Sequence, residues 1–394
     1  MCDDEPTAMT ECSSRKWSKP IKEIACESGF QCPKLTNPGS GTVTCEDSFI
    51  QTGTKCSLEC NDGWTGVGND RFECLEDHEW SFGNNTYECF RAASKEGPGV
   101  LIFGGTGGGK AQAKSSFFAP SSALSESDCY RTLASLKGGP RTNAAAALLG
   151  SNVIICGGSN DQGETLDSCE SYNPLLDKWT EFPAKMLTPR EGAAAVVYHE
   201  NLMIFGGSGG NFNITMKSEI YDSEGQIWSE GILLPSRVAN SGLCAIVAEG
   251  HLYLIGGYES TYIGSTYVLE GGQWKMLDQM YLDRRHHACI YATLLGGEKG
   301  IFVTGGMPGD SLTTTEFYSF ADNSWRIMAE MKSPRHGHGM VQLGDKIYAF
   351  GGTNVDSVEE YDTQLDAWKM LEDRLEGDNF KFAYVPASQC LYKP

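Results

Sequence analysis

Basic residues are in short supply, with 31 Lys and Arg set against 51 Asp and Glu for a net charge of −20. Without a basic cluster to neutralise phosphates, nucleic acid and anionic membrane surfaces are excluded as partners. Long apolar runs are missing too, and none approaches the roughly 20 residues of a membrane-spanning helix. Histidine is scarce, at 7 residues. The chain opens MCDDEPTAMTEC, acidic and without the apolar stretch of a secretory leader. Apolar residues are plentiful, at 40% of 394 positions, which argues for a folded chain. That length exceeds one small core, so two or more domains, or a repeat array with an appendage, are expected.

Cysteine is abundant, and Cys2, Cys12, Cys26, Cys32, Cys45, Cys56, Cys60, Cys74 and Cys89 crowd the start of the chain. Such density suits an oxidising compartment, where disulfides persist. Two acceptor sequons, at Asn84 and Asn213, point the same way through glycosylation. The expectation is a secreted, extracellular glycoprotein whose numbering begins after processing. A total of 15 cysteines is odd, so at least one is free or bonded to another chain.

Six apolar runs end in a glycine pair: VLIFGG, VIICGG, LMIFGG, LYLIGG, IFVTGG and IYAFGG, with first glycines Gly104, Gly157, Gly206, Gly256, Gly305 and Gly351. After five of these pairs a tyrosine and a tryptophan follow seven positions apart: Tyr172 and Trp179, Tyr221 and Trp228, Tyr267 and Trp274, Tyr318 and Trp325, Tyr361 and Trp368. Each unit of about 50 residues reads as four short strands separated by turns. One such unit cannot bury both faces, and radial closure of the array into a β-propeller hides them. Ala144 to Ala147 and Ala193 to Ala195 suit innermost strands crowded around an axis, the tryptophans suit the wedge between blades, and the glycines suit close backbone approach.

The Gly-Gly, Tyr, Trp and Arg pattern resembles the kelch repeat over residues 98–388. The resemblance implies an all-β fold, a six-bladed kelch-type propeller over 98–390, with the C-terminal strand 380–387 completing blade one beside VLIFGG. Blade one departs from the pattern, because Lys137 stands where its tryptophan should be. Residues 32–90 resemble a sushi module of the six-cysteine kind found in selectins, through Cys32, Cys45, Cys56, Cys60, Cys74 and Cys89 with CNDGW and Trp80. Spacing alone leaves fifteen connectivities open. The resemblance implies the pairs Cys32 to Cys74, Cys45 to Cys56 and Cys60 to Cys89. A zinc site is the rival reading, but Cys56 and Cys60 lack a second pair at metal spacing. Residues 1–31 then form a cysteine-containing leading segment and 91–97 a linker.

Among the remaining cysteines, Cys156 and Cys169 suit a bridge within blade two, while Cys244 and Cys289 are expected as buried thiols on inner strands. Cys2, Cys12, Cys26, Cys129 and Cys390 have no assigned partner. GGTGGGKA at 104–111 nearly matches a phosphate-binding loop, but Ala111 replaces the required hydroxyl and no good helix follows. His286 and His287, and His336 and His338, are paired, and His287 and His338 fall at equivalent positions, which makes them the candidates for a metal or a general base. The recurring Arg141, Arg190, Arg237, Arg284 and Arg335 read as structural donors to blade-junction carbonyls. Binding residues belong where the repeats differ, which selects Asn211, Phe212, Tyr258 and Tyr262.

The reading is a non-enzymatic, cofactor-free binding or structural protein of the extracellular matrix, adhesion or filament-assembly type. Its partners are an extracellular protein or glycan, with self-association into oligomers or filaments through a cysteine of the leading segment. A copper- or carbohydrate-active propeller enzyme and an attractin-like soluble receptor ectodomain are the alternatives.

Overall fold

The computed structural model describes residues 41–46, 50–60, 64–67, 71–75, 88–91, 99–120, 131–174, 176–210, 215–235, 241–375 and 382–387. Asn84, Asn211, Phe212, Asn213, Arg237, Cys2, Cys12, Cys26, Cys32, Cys129 and Cys390 lie outside the described residues. The chain divides into two units, Met1–Ser94 and Lys95–Pro394.

In the first unit, strands Gly41–Cys45, Lys55–Cys60 and Arg71–Glu73 form a sheet with Lys55–Cys60 in the middle, and Trp64–Val67 pairs with Glu88–Arg91. Cys45 and Cys56 are register partners joined by a disulfide, and Cys74 is also disulfide-bonded. So small a core gains from bridges that restrict the unfolded chain, each contributing about 2–4 kcal/mol. The backbones of Cys60 and Cys89 sit on strands, but their side chains lie outside the described atoms.

The second unit is a six-bladed propeller of four-stranded antiparallel sheets. From the inside outwards, blade two runs Ala145–Leu149, Asn152–Cys156, Cys169–Asn173 and Lys178–Glu181, and blades three to six repeat that order. Blade one differs: its inner strand, Ala383–Ala387, comes from the end of the chain and pairs antiparallel with Gly99–Phe103. Six apolar clusters occupy the joints between successive blades. Leu101, Phe103 and Phe117 meet Val153, Tyr172 and Trp179 at one joint. Val100, Ile102 and Phe118 meet Val341, Tyr348 and Phe350 where the ring closes. Apolar burial between neighbours, at about 25 cal/mol per Å2, therefore holds the ring together.

The tryptophans fill this wedge. Trp179, Trp228, Trp325 and Trp368 are buried directly opposite Tyr172, Tyr221, Tyr318 and Tyr361 in their hairpins. Blade four breaks the register despite the same sequence interval, since Tyr267 faces Met276 while Trp274 faces Leu269. Its third and outer strands turn through Gly271 and Gly272 alone, at φ 57° and 78°, so the shorter loop shifts the pairing and leaves Trp274 only half-buried.

The glycine-rich stretch at 104–111 is a hairpin. Thr106–Gly107 pairs with Lys110–Ala111, and the next element is the strand Ser115–Phe118, so no helix N-terminus stands behind it to receive phosphate.

Candidate functional site

Gly104, Gly157, Gly305 and Gly351 have φ of 61° to 66°, and the glycine after each is also left-handed. A Cβ on Gly157 would strike the Arg190 carbonyl oxygen of the next blade, which explains why each second strand ends on glycine. The second glycine closes the junction: the N–H of Gly158 donates to Arg190 O at 2.9 Å, and that of Gly306 to Arg335 O at 2.7 Å.

The arginine side chains turn back into their own blades. Arg335 Nη1 donates to the carbonyls of Gly351 and Ser357 at 2.8 and 2.7 Å, and its Nη2 reaches Glu359 at 2.9 Å. Arg141 with Glu170, Arg190 with Glu219 and Arg284 with Glu316 repeat the arrangement at 2.7, 2.5 and 2.5 Å, all of them buried. Burial pulls these guanidinium groups below their ordinary pKa, and the partner carboxylates oppose that pull. Sequence reading found the arginines but missed the carboxylates, whose signal is a glutamate two positions before four of the five wedge tyrosines. Arg237, read with them in the sequence, lies outside the described residues. Counted from Gly242 the equivalent position is Asn240, and Ser265 stands where the glutamate should be, so the sequence of blade four lacks both members of the pair.

On this rigid frame the residues that follow the arginine gather around the axis. A belt of backbone hydrogen bonds links five blades: Gly192 N–H to Asn143 O, Gly242 N–H to Gly192 O, His286 N–H to Gly242 O and Gly337 N–H to His286 O, at 2.8 to 3.0 Å. All five belt residues are left-handed, and only Asn143 and His286 are not glycine. Just before each belt residue stands a rim residue that differs in every blade: Thr142, Glu191, Ser241, Arg285 and His336. Glu191 accepts from Ser159 Oγ at 2.7 Å, and His336 shares hydrogen bonds with Ser311 and Thr353. The Arg285 guanidinium carbon lies 4.4 Å from the ring centre of Tyr258 and 5.6 Å from that of Tyr262. These two rings pack edge to face, on a hairpin that extends blade four beyond Gly256 and Gly257.

The structure thus places Tyr258 and Tyr262 together with Arg285, which sequence reading assigned no role. Partly buried carboxylate, guanidinium and aromatic groups, Glu191, Arg285, Tyr258 and Tyr262, can recognise a polar segment by hydrogen bonding and stacking. His287 and His338 are buried below the rim, and among the described residues no group of three or more His, Cys, Asp or Glu is placed to hold a metal ion.

Cys156 and Cys169 are register partners within blade two, joined by a disulfide. Cys244 and Cys289 correct the expectation of two thiols, because they form a disulfide between the inner strands of blades four and five. Convergence of the strands on the axis brings their Cα atoms to 6.2 Å, within bridging range.

Comparison with known proteins agrees with both units. The Kelch motif profile matches residues 140–186 and 334–373, and the Sushi repeat (SCR repeat) profile matches 32–89. Kelch-like protein 23 of Pongo abelii is 32% identical over 214 residues, 52% of this chain and 36% of that protein. Kelch-like protein 7 of Rattus norvegicus is 30% identical over 227 residues, 56% of this chain and 37% of that protein. Beta-scruin of Limulus polyphemus is 27% identical over 222 residues, 52% and 23% of the two chains. The chain therefore spans little more than a third of these relatives at most. The structure of YjhT matches 70% of this chain and 98% of its own, with a TM-score of 0.54 at 14% identity, a likeness of fold alone.

Proposed function

We propose that this chain, a propeller with Kelch motifs behind a Sushi repeat, is a secreted, glycosylated and non-enzymatic binding protein of the extracellular matrix, adhesion or filament-assembly type. Its propeller takes a segment of an extracellular protein at the mouth lined by Glu191, Arg285, His336, Tyr258 and Tyr262. The observation that carries this reading is the contrast between a repeated frame and an unrepeated rim. Four Arg–Glu pairs recur from blade to blade, whereas the adjoining rim position holds Thr, Glu, Ser, Arg and His in turn. Varied residues on a rigid scaffold are where recognition resides.

Panning a random-peptide display library on the unreduced protein tests it. Enriched peptides are expected to lose at least tenfold in affinity with Arg285→Ala or Tyr258→Ala, at an unchanged melting temperature. Enrichment indifferent to both changes moves the site elsewhere, and binding only on a glycan array makes the partner a carbohydrate. The compartment has its own check. Few thiols should titrate in the denatured, unreduced chain, and Asn84 and Asn213 should carry glycans; a chain with most cysteines titratable is not an extracellular one.

A further inference from the structure

One position of the repeat changes character partway round the ring. Directly after the belt residues come Ala144, Ala193, Leu243, His287 and His338, so three blades hold an apolar side chain and two hold an imidazole. In blades two and three the slot is small, and Ala144 and Ala193 lie against Gly158 and Gly207 of their own blades. In blades five and six the ring goes further. His287 has its Cβ by Gly306 of its own blade and its Cε1 by Gly256 of blade four, where an added Cβ would lie 2.7 Å away. His338 bridges Gly352 and Gly305 in the same way, across the joint between blades five and six.

Both rings are buried, at 7% and 4% exposure. Among the described residues neither nitrogen of His287 has a hydrogen-bond partner and Nδ1 of His338 has none either, while its Nε2 shares a 2.8 Å hydrogen bond with Thr304 Oγ1. The groups acting on His287 are Arg284 and His286, and those acting on His338 are Arg335, Arg284, His336 and His287. Glu316 and Glu359, the nearby carboxylates, are engaged by Arg284 and Arg335. A proton added to either ring would therefore be a buried charge facing other positive groups, with no acceptor at either nitrogen of His287 and none at Nδ1 of His338 among the described residues.

We propose that His287 and His338 are an acid-operated release at the two joints flanking blade five. Neutral, the rings fill the slots as their apolar counterparts do. Protonated, they are accommodated only when the joints open, and opening carries away Arg285, His286 and His336, which stand within two residues of them. Opening follows from the slots themselves, while the accompanying loss of ligand rests on the binding face proposed above.

The sign is fixed by which state takes the proton. Burial, with Arg284 nearby, pushes His287 down to about 3 from an ordinary 6.5, and His338 is lowered for the same reason. Above about 6.5 both states are neutral and stability does not depend on these rings. As pH falls below that value the open state gains protons and the closed state does not, so the closed-to-open ratio drops about tenfold per pH unit for each ring.

The test is the melting temperature between pH 7.5 and 5, a window in which ordinary carboxylates stay ionised. The unaltered protein is expected to lose stability steadily below pH 6.5, and His287→Leu/His338→Leu, which copies the Leu243 slot of blade four, to be flat across the range. Substituting the exposed His199 and His251 by Gln should leave the slope in place. Histidine C2–H proton resonances of the unaltered protein give a second reading that needs no variant, with two imidazoles staying neutral until the melting transition itself. A pH-independent melting temperature, a slope surviving the double substitution, or His287 and His338 themselves titrating near 6.5 in the intact fold would each overturn the proposal. Ligand release at pH 5.5 without loss of stability would sink the joint opening but not the binding face; opening without release does the reverse.

Discussion

At Glu359 one buried carboxylate serves the N–H groups of Lys332 and Ser333 and two nitrogens of Arg335. Removing it strands a buried guanidinium, so Glu359→Ala is expected to cost about 3–5 kcal/mol, measured by urea unfolding. Breaking the exposed Lys217–Glu230 pair should leave the midpoint unmoved. Glycine gives a second contrast. Gly157→Ala must displace backbone of the next blade, whereas Gly250→Ala, at φ 78° with nothing within 4 Å of the new methyl, bears only the left-handed penalty of about 1 kcal/mol. Thermal melts should rank the two accordingly. The arginines and glycines were legible in the sequence because they recur in fixed company. Their glutamate partners were not, since Glu170 and Arg141 stand 29 positions apart and only the folded hairpin brings them together.

Among elements, the tyrosine–tryptophan hairpin shows where periodicity informs and where it misleads. Equal intervals announced five equivalent hairpins, but register is set by the turn, and the two-residue turn of blade four moves Trp274 out of line. Trp368→Ala should therefore cost about 3–5 kcal/mol, and Trp274→Ala clearly less, because less of that indole leaves water on folding. Equal losses in paired urea titrations would show that the half-exposed indole packs as tightly as its counterparts. The extended hairpin that carries Tyr258 and Tyr262 was visible as a departure from the repeat. Arg285 was not, because its place on those rings comes from the neighbouring blade rather than from any motif.

For the molecule as a whole, the bridge between Cys244 and Cys289 joins positions 45 residues apart in the sequence, on blades otherwise held by apolar packing and a few backbone bonds. Sequence spacing cannot reveal such a pair, because its proximity is a property of the closed ring. The double substitution Cys244→Ala/Cys289→Ala should lower unfolding free energy by about 2–4 kcal/mol without altering the six-bladed topology, as read from urea midpoints and circular dichroism. The other long-range link has a consequence in time. Gly99–Phe103 finds its inner neighbour, Ala383–Ala387, only when that strand, about 280 positions later, has been made. At about 10 residues per second the ribosome needs roughly half a minute to supply that partner. Throughout that interval the nascent chain presents the unpaired edge of Val100, Leu101 and Ile102, so safe biogenesis of this propeller depends on whatever shields one strand until Ala383–Ala387 emerges.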